Sequence, residues 1–90
     1  MTKYVFNPEY SICSNEGAEF ILTPDMMQIY ILKDIESAVV HCFMEPEAMD
    51  TAIQKISVSF TPASFIPLEC EQFIKDLIEA NVLIQSHDPD

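Results

Sequence analysis

The side chains that could serve as nucleophile, base or metal ligand are few and scattered along this chain. Cys13, Cys42 and Cys70 are widely separated, with no Cys-x-x-Cys pair and no Cys/His group at zinc-ligand spacing. His41 directly precedes Cys42, but adjacent residues of a helix point to different sides, so they cannot form a dyad. His87 lies near the C-terminal end. A phosphate-cradling loop needs several glycines, and Gly17 is the only one in the chain. Ser37, within Asp34-Ile35-Glu36-Ser37-Ala38, lacks the Asp-Ser-Leu context of a phosphopantetheine carrier. Glu45 and Glu47 read as helix-start charges, and Glu69 and Glu71 as the solvated opening of a later helix. Nothing here assembles a nucleophile with its base, or carboxylates converging in a pocket. The expectation is no enzyme, no catalytic residue, no metal and no cofactor.

Composition narrows the classes further. Ninety residues, 49% of them hydrophobic, allow one core and are too apolar for an intrinsically disordered chain. Fifteen acidic residues stand against Lys3, Lys33, Lys55 and Lys75 with no arginine, a formal charge of −11. Phosphate backbones are bound by cations, so neither nucleic acid nor an anionic membrane surface is an expected partner. No apolar run approaches the ~20 residues of a membrane span, and Met1 to Tyr10 carries no signal-peptide core. Each cysteine sits in an apolar pattern and reads as a small buried hydrophobe in a reducing compartment. A cytoplasmic location is expected.

The elements follow from periodicity. Tyr10 to Ser14 and Glu19 to Thr23 read as strands joined by a turn in which Gly17 supplies the positive φ. Thr23-Pro24-Asp25 turns the chain, and Gln28-Ile29-Tyr30-Ile31-Leu32, rich in β-branched and aromatic residues, predicts a third strand. The period then changes. Ile35, Ala38, Val39, Cys42 and Phe43 form a helical stripe, with Asp34 placed to cap and Glu36, Val40 and His41 off it. A second helix is expected from Glu45-Pro46-Glu47 onward, with the stripe Met49, Ala52, Ile53, Ile56 and Phe60. Thr61 to Pro67, with two prolines, predicts an ordered loop with Phe65 and Ile66 tucked inward. The third helix runs from about Leu68 to Ala80 on Cys70, Phe73, Ile74, Leu77 and Ile78, and Asn81 suits a left-handed cap. The apolar Val82-Leu83-Ile84 follows. The expected fold is α+β: a small three-stranded antiparallel sheet followed by three helices, of winged helix-turn-helix type. It spans residues 1–85 as one domain, with a disordered tail over 86–90.

Several of these segments, taken in order, resemble the PqqD-like family, the peptide-binding recognition elements of ribosomal peptide modification. They are the lead-in Phe6-Asn7-Pro8-Glu9-Tyr10, the hairpin from Tyr10 to Thr23 and the third strand ending at Leu32. The closing run Phe73-Ile74-x-x-Leu77-Ile78-x-x-Asn81-Val82-Leu83 is the best match, and the similarity spans roughly residues 6 to 84. Asn81 replaces the family's usual glycine, and asparagine also tolerates the left-handed conformation. The resemblance implies an adaptor that captures the leader segment of a precursor peptide and delivers it to a modifying enzyme, such as a radical SAM maturase. The leader would add as a strand at Gln28, Ile29, Tyr30, Ile31 and Leu32 and pack against Glu69, Gln72, Phe73, Asp76 and Leu77. Of these, Ile29, Ile31, Phe73 and Leu77 read as core residues beneath the groove. Tyr30, Gln72 and Asp76 are the better candidates for contact.

Two other readings compete. An acidic regulator or inhibitor could use its charge to occupy a basic, nucleic-acid-binding surface of another protein. A winged-helix remnant could act through protein contacts; as a DNA reader it would need a basic recognition helix. Leu68 to Ala80 holds one lysine against four acids.

Overall fold

Asn15-Glu16-Gly17-Ala18 reverses the chain in two residues. Glu16 (φ 52°) and Gly17 (φ 83°) both take the left-handed conformation that matches a tight hairpin to the twist of its strands. The computed structural model describes residues 2–60 and 67–86. The hairpin joins β2 (Ser11–Asn15) to β3 (Ala18–Leu22), and β4 (Gln28–Leu32) pairs antiparallel with β3 to give the order β2-β3-β4. Three helices follow: α1 (Asp34–Cys42), α2 (Met49–Ser59) and α3 (Pro67–Glu79). The protein is thus a small α+β domain with a three-stranded antiparallel sheet and three helices. Among the described residues no helix is long and apolar enough to cross a membrane.

Register and burial identify the inner face of the sheet. Ile12, Ile21 and Tyr30 stand side by side across the three strands, and Ile21 is fully buried. Val39 of α1 and Phe43 just after it, Ala52 and Ile56 of α2, and Cys70, Ile74 and Leu77 of α3 join it in the core. The helical stripes therefore meet as their spacing predicts. Val40 is a correction: it lies off the expected stripe of α1 yet is fully buried, because α1 packs against α2, α3 and β4 and needs a wider apolar arc.

Two short strands were not expected. β1 (Tyr4–Phe6) pairs antiparallel with β5 (Leu83–Gln85), forming a separate two-stranded sheet that draws the two ends of the chain together. Asn7 pins this clip to the end of α3. Its backbone N–H donates to the Val82 carbonyl at 2.8 Å. Its side-chain amide donates to the Asn81 carbonyl at 2.9 Å, and its Oδ1 accepts from the Glu9 N–H at 3.0 Å. The Tyr10 hydroxyl donates to the Ala80 carbonyl at 3.2 Å. Asn81 itself has φ 65°, the left-handed cap its residue type allows.

Helix starts differ from expectation in two places. Lys33, extended, is the N-cap of α1, and its N–H is met by the Glu36 carboxylate at 3.2 Å; Asp34 is the first helical residue. Glu45-Pro46-Glu47 does not open α2. Tyr4 and Glu47 exchange backbone hydrogen bonds of 2.8 and 2.9 Å, which holds Glu47 extended and delays the helix to Met49. Cys13 is also a correction, being exposed, whereas Cys42 is half-buried and Cys70 buried. The expected inward packing of Phe65 and Ile66 lies outside the described residues, as does the tail beyond Ser86.

Glu47 carries a pH dependence. The Lys55 ammonium, 2.5 Å away, holds its carboxyl below the ordinary glutamate range, chiefly through that hydrogen bond. A depressed folded-state pKa adds stability above the unfolded value of about 4.5, and that stability is lost as pH falls through the folded value. Glu47→Gln is expected to flatten this acid limb. The effect is small, because Lys55 is well exposed and water screens the pair. Urea midpoints at neutral pH and below pH ~4 measure it.

Candidate functional site

β4 is an edge strand. Among the described residues it pairs with β3 on one side only, and after Leu32 the chain departs into α1. Such an edge presents unpaired N–H and C=O groups. The ladder also carries a bulge: Tyr30 stands opposite Ile21 and Gln28 opposite Leu22, so Ile29 is the extra residue. Leu32 is buried at 3% exposure and Tyr30 is half-buried, while Ile29 and Ile31 are 38% and 52% exposed. The two isoleucines expected in the core are therefore at the surface. Ile31 aligns with Phe20 and Cys13 on the face of the sheet opposite Ile12, Ile21 and Tyr30.

α3 forms the opposite wall. The Phe73 ring meets the Tyr30 ring edge-on, with centroids 6.2 Å apart and planes at 88°. Beyond that contact, Tyr30, Asp76, Glu79 and Ala80 line a shallow open cavity of about 310 Å³. Gln72 donates its side-chain amide to Asp76 Oδ1 at 3.0 Å. Glu69 is exposed one turn earlier. Leu77 is fully buried, so it supports this wall from the core and cannot touch an occupant. The Tyr30 phenol is held above its ordinary pKa, first by burial and then by the Asp76 and Glu79 carboxylates. Tyr30, Phe73, Gln72 and Asp76 thus come together, with Ile29 and Ile31 at the margin. Gln28 opens the strand opposite Leu22.

Glu79 and Ala80 were missed from sequence. The signal was present, because Glu79 lies three residues after Asp76 and Ala80 seven after Phe73. Both therefore continue the helical row that begins at Glu69 and Gln72.

A second polar group lies between β3 and α1. The Glu19 carboxylate accepts the Ser37 hydroxyl and, at 3.1 Å, His41 Nε2–H. Both donors converge on the one carboxylate. The trio ties sheet to helix. Burial pushes the Cys42 and Cys70 thiols up, which keeps them protonated and poorly nucleophilic at neutral pH. Among the described residues, no three His, Cys, Asp or Glu side chains are grouped to hold a metal ion. No family model matches the chain, and no curated protein or solved structure matches it either.

Proposed function

We propose that this protein is a non-catalytic peptide-binding adaptor of the PqqD-like, winged helix-turn-helix type. It captures the leader segment of a ribosomally made precursor by strand addition at β4 and delivers it to a modifying enzyme, such as a radical SAM maturase. The observation that carries this reading is an open strand edge running beside the exposed row of α3. Main-chain groups along Ile29 to Leu32 supply affinity that is indifferent to side chains, and the wall formed by Tyr30, Phe73 and Asp76 supplies selection. The β2–β3 hairpin takes the part of the wing, and α2 and α3 that of the helix pair.

The test uses proline. Successive residues of an antiparallel strand alternate their N–H groups between the two sides, so either Tyr30 or Ile31 offers its donor away from β3. Proline at that residue deletes the donor a leader strand needs and leaves the β3 ladder intact. Random peptides displayed on phage are selected on the folded protein. Each is then titrated by calorimetry against wild type, Tyr30→Pro and Ile31→Pro, with thermal melts alongside. One of the two variants is expected to stay folded and lose measurable binding. Full binding by both folded variants would reject the edge as the site, and the acidic-regulator reading would take first place.

A further inference from the structure

The last two turns of α3 break a local rule. Carboxylates are stabilising at a helix N-terminus and unfavourable at the C-terminus, where the dipole is already negative. Asp76 and Glu79 nevertheless occupy that end, three residues apart on neighbouring turns, and no basic residue stands in the last turn to offset them. Among the described residues neither has a cationic partner. Lys75 pairs with Glu71 at 3.5 Å and Lys55 with Glu47, while Asp76 receives only the neutral Gln72 amide. Both carboxylates line the shallow cavity shared with Tyr30 and Ala80, which places their negative potential at the mouth of the groove. Places where a sequence departs from local stability rules are where function is to be sought.

We propose that the strand accepted by this edge is cationic, with an arginine or lysine lying across Tyr30 and Ala80 and its head between Asp76 and Glu79. This rests on the strand-addition reading above and names its substrate class. The cavity suits such a side chain. A half-buried aromatic ring and a methyl group receive the methylene stem, the ring face favours a cation, and the two carboxylates take the charged head. An acidic side chain there would meet two like charges in a molecule of net charge −11. The pleat then sets the flanks. Tyr30 and Leu32 face inward and Ile31 outward, so residues on either side of the cation lie along the outer face, beside exposed Ile31. The motif read is one basic residue between two apolar ones in an extended segment.

The probe is the phage-displayed random peptide library selected at low salt. Selected peptides are sequenced and titrated against wild type, the double variant Asp76→Asn with Glu79→Gln, and the proline variants. The expected result is enrichment of Arg or Lys flanked by apolar residues, with affinity falling about tenfold in the double variant. The double variant is also expected to melt higher than wild type, since it removes two carboxylates from the wrong end of a helix. Peptides that a folded proline variant releases, but that are neutral, acidic or indifferent to the two carboxylates, would overturn the cationic motif and leave strand addition standing. Peptides that survive both folded proline variants, or no enrichment at all, would overturn the motif and strand addition together.

Discussion

Leu77→Asp is expected to leave no folded protein at room temperature. Leu77 is fully buried in a cluster of apolar side chains. Leaving an unpaired polar or charged group in that environment costs several kcal/mol, and losing the leucine contacts costs about 2–5 kcal/mol more. Together these rival the roughly 5–15 kcal/mol by which domains of this kind are stable. Asp76→Lys, one residue earlier, is the control. It changes the charge by two on an exposed position of the same helix and is expected to move the melting temperature only slightly. Circular dichroism melts of the pair measure both. A cooperative transition in Leu77→Asp close to that of wild type would mean that α3 is rotated about its axis, placing a different row toward the groove.

Phe43→Ala is the second large effect. Phe43 is fully buried where α1 ends and the chain crosses toward the terminal sheet, and its carbonyl accepts the Phe6 N–H at 2.7 Å. Truncation opens a cavity in the core. A buried phenylalanine replaced by alanine costs about 3–5 kcal/mol. For a domain of this size that lowers the melting temperature by roughly 12–40 °C. Phe43→Leu keeps most of the volume and should cost less than about 1.5 kcal/mol. The backbone bond to Phe6 survives in both, so the difference between the variants isolates packing. Urea denaturation at fixed pH provides the comparison, and equal losses would show that the ring itself is not what fills the space.

The residues that were legible in advance are those whose partners are near in sequence. β4 matches its expected bounds because four β-branched, aromatic or apolar residues, Ile29 to Leu32, follow Gln28 between turn signals. α3 follows its stripe because Cys70, Ile74 and Leu77 repeat at helical spacing. β1 and β5 escaped notice because each is three residues long and its partner is at the other end of the chain, with Tyr4 facing Gln85. Glu45-Pro46-Glu47 satisfies the rule for a helix start and also suits an extended bridge; Tyr4, a distant residue, decides between them. Ile29 and Ile31 were placed in the core because an apolar pattern records what a strand could bury and not which face the helices cover. At the groove, Tyr30, Gln72, Phe73 and Asp76 were foreseen as candidates, and the carboxylate of Glu79 was not. Its importance depends on the nearness of Tyr30, which spacing along one helix cannot reveal.

The terminal clip also sets how the molecule yields to force. The chain leaves β1 at Lys3 and β5 at Ser86, side by side at one end of the ladder, where the Ser86 N–H donates to the Lys3 carbonyl at 2.8 Å. Tension applied to those ends runs across the strands, so it loads the hydrogen bonds one after another from Tyr4–Gln85 inward. None of them shares the load with the next. β1 is additionally held by Glu47 on its far side, so β5 is the strand that peels away. A machine that pulls Lys3 and Ser86 apart opens this seam by unzipping, at a far lower force than shearing the same bonds together would need.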